Sequence, residues 1–170
     1  KRFYQFSRSL GKEFAITEFG YDSSGISKQT VMVSTEQAQD REFYSQLPTW
    51  QDQEAYYNNT YWPKWKDQLL QRQAAWGIRA FLEASPYCDY MFMYHVRDTN
   101  QEGYATTGTY SSCGISFDRR NVERGTLELK PLGKQLKNII EQLGEFWFTH
   151  KTEVGNVRTI YCKNAEGDVQ

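Results

Sequence analysis

EFAITEFG, residues 13–20, is the stretch that decides the fold: a short apolar run with the carboxylate Glu18 near its end. Apolar runs of this length, without polar alternation, are typical of strands buried on both faces of a parallel sheet. Residues 1–10 repeat apolar side chains at helical spacing, and Gly11 follows where a helix would stop. A helix, a glycine stop and a buried strand predict half of an α/β repeat.

The same order recurs further along the chain. Residues 62–84 have apolar side chains at helical spacing. Pro63 suits the first turn of this helix, and Ser85-Pro86 predicts its end. A second buried strand is predicted over residues 90–96, and a last amphipathic helix over residues 130–143. The pattern therefore predicts two and a half α/β units.

Each predicted strand is followed by a long polar segment. The first covers residues 21–60 and contains one helical stretch at 35–44, and the second covers residues 99–125. In a barrel of parallel strands, the active site is built from such loops and from the last strand residues. Glu18 and the pair Arg97-Asp98 occupy those positions. We expect Glu18 to be half desolvated, either tuned for catalysis or paired with Arg97.

The hydrophobic period changes from 3.6 to 2 after Gly144. Residues 145–150 and 157–162 predict two antiparallel strands joined by a turn at 153–156. Another turn follows shortly before the last residue, Gln170. We therefore expect the opening of a small all-β module, in a piece cut from a longer polypeptide.

Composition excludes several classes of protein. The 170 residues carry 20 Lys and Arg against 21 Asp and Glu, and without basic runs this balance disfavours nucleic acid as the main partner. No stretch approaches the roughly 18 consecutive apolar residues of a membrane span. Three cysteines without a C-x-x-C motif and two histidines argue against a disulfide framework or a zinc site.

Aromatic residues are abundant: 12 Tyr, 10 Phe and 5 Trp. The densest run, residues 56–65, places its rings among Asn, Lys and Thr side chains. Rings in polar surroundings suit a surface that stacks on flat ligand faces and hydrogen-bonds at their edges, as sugars and bases require. The near-zero net charge favours the sugar. Within this run, Trp62 is either a sugar platform or an anchor of the following helix.

The order of these motifs resembles a known family. ITEFGYD, residues 16–22, is similar to the seventh-strand motif of retaining glycoside hydrolases of the clan A type, in which a Glu at the strand's end is the nucleophile. Three later stretches are similar to the following helix, the eighth strand and the final loop: QAAWGIRAFL (73–82), MFMYHVRD (91–98) and YATTG (104–108). The resemblance covers nearly the whole chain, apart from an enlarged loop over about residues 23–60.

The resemblance implies the C-terminal half of a (β/α)8 barrel over residues 1–144 and the start of a β-sandwich over residues 145–170. It makes Glu18 the nucleophile and places the acid/base carboxyl on an earlier strand outside this sequence. It requires no metal or organic cofactor. The expected partners are a carbohydrate substrate and the N-terminal half-barrel of the same polypeptide. The expected substrate contacts are Tyr21, Asp22, Tyr94, His95, Arg97, Asp98 and Trp62.

Purely structural roles remain open for these predicted substrate contacts. Tyr94 and His95 could be packed aromatics, Tyr21 and Asp22 could hold the loop, and Arg97-Asp98 could be an ion pair that shapes the final loop. The alternative function is a non-catalytic glycan-binding or structural protein, such as a virion component, that has kept the barrel. A third hypothesis is an independent α/β domain of 170 residues. For the full-length enzyme we expect a secreted, periplasmic or cell-surface location.

Overall fold

A computed structural model describes residues 2–26, 30–101, 112–118 and 128–167. The helices are α1 (Arg2–Ser9), α2 (Thr35–Gln46), α3 (Trp50–Tyr56), α4 (Trp62–Ala84) and α5 (Pro131–Leu143), with a π-helix over Tyr57–Tyr61 and a 3-10 turn over Ser85–Tyr87. The strands are β1 (Ala15–Phe19), β2 (Tyr90–Met93), β3 (Arg97–Gln101), β4 (Ser116–Asp118), β5 (Trp147–Val154) and β6 (Val157–Lys163). Within the described ranges the strands form three two-stranded sheets, which do not close into a barrel.

The first sheet pairs β1 and β2 in parallel, with Ala15 opposite Tyr90 and Phe19 opposite Met93. Helix α4 lies in the connection between them, because a parallel pair needs a crossover rather than a tight turn. The prediction that both strands are buried on both faces is wrong. Exposed and half-buried side chains alternate along β2, and Phe92 is exposed. Among the residues that the structure describes, helices cover one face of this sheet and leave the other open.

Helices α4 and α5 pack against each other on that covered face. Ala74 of α4 and Leu132 and Leu136 of α5 are buried together, and Met93 of β2 packs against them. Gly77 allows the close approach, since a Cβ atom there would lie 2.6 Å from the Cδ1 atom of Leu132. Both helices begin and end within one residue of the predicted bounds, because each has an apolar stripe behind a proline in its first turn.

The long segment after β1 is more helical than predicted. Besides the predicted α2, it contains α3 and the π-helix. Side-chain caps explain where these helices begin: the hydroxyl of Ser34 accepts from the backbone N–H of Gln37, and the hydroxyl of Thr49 accepts from that of Asp52. The aromatic run therefore belongs to a group of helices formed by α2, α3, the π-helix and the start of α4, which we call the helical cap.

The rings of this run form a core. The buried cluster consists of Tyr57, Tyr61, Trp62, Trp65, Leu69, Leu70 and Phe117. Trp62 is only 7% exposed, and its ring stacks on that of Tyr57 with 5.9 Å between centroids. The prediction of Trp62 as a sugar contact is wrong for this structure, because both its burial and its stacked neighbour keep a ligand from its faces.

The second predicted polar loop is partly strand. Immediately after β2, the chain pairs β3 in parallel with β4, and the backbone N–H of Ile115 donates to the His95 carbonyl at 2.9 Å. The predicted final loop, residues 104–108, lies outside the described residues. β5 and β6 form the predicted antiparallel pair, with Val154 opposite Val157 across a turn in which Gly155 has φ +59°.

The described part of the chain contains no helix that is both long enough and apolar enough to cross a bilayer.

Gly20 provides a test of how β1 and β2 meet. A Cβ atom at Gly20 would lie 2.1 Å from the carbonyl oxygen of Tyr94, which is backbone and cannot rotate away. We expect Gly20→Ala to lower the free energy of unfolding by at least about 2 kcal/mol, because the strand ends must separate. Chemical unfolding measures the change.

The matched control is Thr17→Ala, at an exposed position of the same strand. Its effect should stay under about 1 kcal/mol, the span of strand propensity. Equal stabilities for Gly20→Ala and Thr17→Ala would contradict the close approach of the two strands.

Candidate functional site

Glu18 and Tyr94 lie at neighbouring strand ends. The backbone N–H of Tyr94 donates to the Phe19 carbonyl at 2.7 Å, which extends the pairing of β1 and β2 to their carboxyl ends. Phe19 and Met93 both line the helical side of the sheet. Met91 and Met93 line that helical side, so Phe92 between them marks the opposite, open face. Glu18 precedes Phe19 in a stretch of β1 whose register with β2 is irregular, and Tyr94 follows the last residue of β2. Their exposure places both with Phe92 on the open face.

The open face is therefore less covered than the sequence analysis predicted. We expected Glu18 to be half desolvated, and its side chain is exposed instead. Phe92, on the same face, is also exposed. The physical reason is that helices α4 and α5 pack against the opposite face of this sheet.

Tyr94 and His95 shape the rim beside Glu18. Their rings meet edge to face with 4.4 Å between centroids, and the peptide bond between them is cis. His95 is half-buried. Arg97, two residues further on, is exposed. Tyr94, His95 and Arg97 thus follow the end of β2, which pairs with the end of β1 that carries Glu18.

Behind this edge lies a buried polar cluster centred on Lys130, which we call the lysine cluster. Lys130 is 0% exposed. Its ammonium group donates to Asp98 Oδ1 at 2.8 Å and lies 2.6 Å from Oδ2. It also donates to the Ser23 hydroxyl at 2.9 Å and to the Ser112 carbonyl at 3.0 Å. Lys130 therefore joins the loop after β1, the start of β3, the Ser112 segment and the start of α5.

Asp98 belongs to this cluster and not to the open face. Asp98 was predicted as a substrate contact, with an ion pair to Arg97 as the alternative. Instead, Asp98 is buried against Lys130 and also accepts from the backbone N–H of Gly114 at 2.9 Å. Burial raises the pKa of Asp98, while Lys130 opposes that shift. Burial likewise lowers the pKa of Lys130, and Asp98 opposes it. Each group thus depends on the other to remain charged.

Asp22 organises the loop that follows β1. Its oxygens accept from the backbone N–H of Ser24 at 2.9 Å, from the Ser24 hydroxyl at 2.7 Å, from the Ser112 hydroxyl, and from the Thr30 hydroxyl at 3.3 Å. A carboxylate that already accepts four hydrogen bonds has little capacity left for a ligand. The structure therefore favours the loop-holding role of Asp22 over sugar contact.

Tyr21 lies away from Glu18. Its ring packs edge to face on Trp76 of α4, with 5.5 Å between centroids, on the helical side of the sheet. Its carbonyl accepts from the side-chain amide of Gln73, also on α4, at 2.8 Å. The predicted substrate contact through Tyr21 is therefore not available on the open face that carries Glu18.

Lys130 and Gln73 were not predicted as functional. Lys130 is the N-cap of α5, where the helix dipole disfavours a cation. A lysine at this position was the signal in the sequence that could have pointed to a special role. Gln73 is a polar residue in the apolar stripe of α4. Its amide nitrogen also donates to the carbonyls of Ser112 and Gly114, both at 3.3 Å. Its Oε1 is buried without a partner in the described structure.

Cys113 lies within this region, and its thiol is buried. Its Cβ atom would be 3.7 Å from a Cβ atom at Gly20. Burial, with a further contribution from the Asp22 charge, raises the pKa of the Cys113 thiol to about 12. A thiol that stays protonated at neutral pH attacks poorly, because the thiolate is the reactive form. Among the residues the structure describes, no group of three or more His, Cys, Asp or Glu side chains is placed to hold a metal ion.

The chain matches no model of a known protein family, no curated protein and no solved structure.

The lysine cluster predicts a large effect of removing its cation. We expect Lys130→Met to lower the free energy of unfolding by about 3–5 kcal/mol, because Asp98 would be left as an uncompensated buried charge. Chemical unfolding at neutral pH measures this loss. Adding Asp98→Leu to that variant should recover part of the stability, since the buried charge is then gone.

Lys134→Met is the matched control, because Lys134 is an exposed lysine one turn further along α5. It should change stability by no more than about 0.5 kcal/mol. If Lys130→Met behaved like this control, or if Asp98→Leu deepened the loss, the cluster would not hold its segments by charge pairing.

Proposed function

We propose that this chain is the C-terminal half of the catalytic barrel of a retaining glycosidase, with Glu18 as its nucleophile. The position of Glu18 carries the proposal: an exposed carboxylate at the carboxyl end of β1, on the open face of a parallel strand pair, with Tyr94 beside it. Barrel enzymes take their catalytic side chains from strand ends at this edge. The resemblance of residues 16–22 to the family motif points to the same Glu.

The proposed reaction has two displacements. A carboxylate oxygen of Glu18 attacks the anomeric carbon, and the bond to the leaving oxygen breaks as that oxygen takes a proton from a second carboxyl group. Water then attacks the anomeric carbon of the glycosyl-enzyme, gives a proton to the second group and releases Glu18. Two inversions give net retention, and the two carboxyl groups must stand roughly 5–5.5 Å apart.

The second carboxyl group belongs, in this proposal, to an earlier strand outside this sequence. The state of the neighbouring carboxylates supports this assignment. Asp22 is held by four hydrogen bonds, and Asp98 is buried against Lys130. Neither is placed to give a proton to a leaving group on the open face.

The remaining edge residues would bind the sugar. Tyr94 is 36% exposed, so one part of its ring is open to a pyranose face. His95 meets that ring edge-on and would limit how far the sugar slides along it. Arg97 is exposed at the same edge and can donate to hydroxyl groups.

We expect Glu18→Gln in the full-length protein to reduce turnover of an aryl glycoside panel by at least about a thousandfold while glycan binding persists, because the amide cannot form the glycosyl-enzyme. Glu13→Gln is the matched control, an exposed carboxylate just before β1. Steady-state kinetics and a binding isotherm on each variant make the comparison.

Glu18→Ala with added azide sharpens the test. A small anion that enters the space left by the carboxylate should restore part of the turnover of a substrate with a good leaving group. It should also give a glycosyl azide of inverted configuration, since only one displacement then occurs. Turnover by Glu18→Gln equal to that of the wild type would sink the proposal. Binding without turnover by the wild type would favour the non-catalytic glycan-binding alternative.

A further inference from the structure

A small cleft lies on the helical side of the sheet, on the face opposite to the one that carries Glu18. Its cavity has a volume of about 250 Å³ and is lined by Tyr21, Trp76, Arg79, Ala80 and Glu83. Four of these residues belong to one face of α4, and Tyr21 closes the cleft from the loop after β1. The indole of Trp76 is 42% exposed, so a large flat apolar surface faces solvent there.

The two rings of this cleft form a fixed corner. Their planes are 85° apart with centroids at 5.5 Å, so that Tyr21 walls one side of the Trp76 ring. The Tyr21 backbone is anchored to the same helix, because its carbonyl accepts from Gln73, one turn before Trp76. Side chains that are already ordered lose little entropy when a ligand binds.

Equal numbers of positively and negatively charged side chains lie at or next to the rim of the cleft. The Arg79 guanidinium donates to Glu83 Oε1 at 2.9 Å, and Arg158 of β6 contacts the same oxygen and also Glu153. The hydrogen bond from Arg79, assisted by that from Arg158, lowers the pKa of Glu83. Surface pairs of this kind add little stability, but they hold donors and acceptors in place. Two cations and two anions leave no net charge to attract an ionic ligand.

We propose that this cleft binds one neutral pyranose unit of a glycan, at a site separate from Glu18. The C–H face of a pyranose would stack on Trp76 against the Tyr21 wall. Its hydroxyl groups would accept from Arg79 and donate to Glu83. A phosphate-bearing ligand is disfavoured by the Glu83 carboxylate, and the small volume suits a single ring. The site does not depend on Glu18 chemistry and would serve to hold a polysaccharide on the protein surface.

The test is affinity electrophoresis and isothermal titration of the full-length protein with neutral polysaccharides: a β-1,4-glucan, a β-1,3-glucan, a xylan and a mannan. Glu18→Gln serves as the background, so that turnover does not consume the ligand. In that background, Trp76→Ala should weaken binding of at least one polysaccharide by about tenfold, because the stacking surface is lost. Arg79→Met is the second variant and should weaken binding of the same polysaccharide.

The matched control is Trp50→Ala, since Trp50 is an exposed tryptophan on α3 outside the cleft. It should leave affinity unchanged. Equal affinities for Trp76→Ala and Trp50→Ala, or no binding of any of the four polysaccharides by the parent protein, would overturn the proposal. Persistent turnover by Glu18→Gln would overturn the nucleophile assignment alone, and the Trp76 comparison would still decide this site.

Discussion

The buried ion pair between Lys130 and Asp98 is the constraint on which the arrangement of this molecule depends. A lysine with no exposed surface is costly unless every donor is satisfied, and here its ammonium meets a carboxylate, a hydroxyl and a carbonyl. Because these acceptors come from three separate segments, one cation fixes the loop after β1, the start of β3 and the Ser112 segment against the beginning of α5. Gln73 of α4 binds two of the same segments from the other side. The strand ends are thus held by polar contacts, whereas α4 and α5 are held by apolar packing.

This arrangement divides the carboxylates by role. Asp22 and Asp98 are used internally, and their oxygens stabilise loops. Glu18 stands on the open face of the sheet beside Tyr94, where a ligand can reach it. The same division separates the aromatic residues. Trp62 and its neighbours form the core of the helical cap, while Tyr94 and Trp76 keep exposed ring surface on opposite sides of the sheet. The proposed chemistry and the proposed second glycan contact both use the groups that the fold leaves accessible.

The sequence predicted β1, α4, α5 and the β5–β6 pair because each depends on local signals: an apolar run, a proline in the first turn, or a two-residue period. It failed where partners distant in the chain decide the outcome. Trp62 was predicted as a possible platform, but Tyr57 and Phe117 bury it. Asp98 was predicted as a substrate contact or as the ion-pair partner of Arg97, yet its partner Lys130 lies 32 residues away in the sequence. The helices over residues 50–61 were not predicted, although Thr49 caps the first of them by accepting from the backbone N–H of Asp52.

The central claim is that Glu18 forms a covalent bond to a sugar. The most direct measurement is mass spectrometry of the full-length protein after reaction with a 2-deoxy-2-fluoro glycoside carrying a good leaving group, a reagent that slows release of the glycosyl-enzyme. The account predicts one added fluoroglycosyl unit, located by peptide mapping on Glu18 within residues 13–22. If the protein hydrolyses glycosides but carries the label on a different carboxylate, or carries no label, the assignment of Glu18 as nucleophile is contradicted.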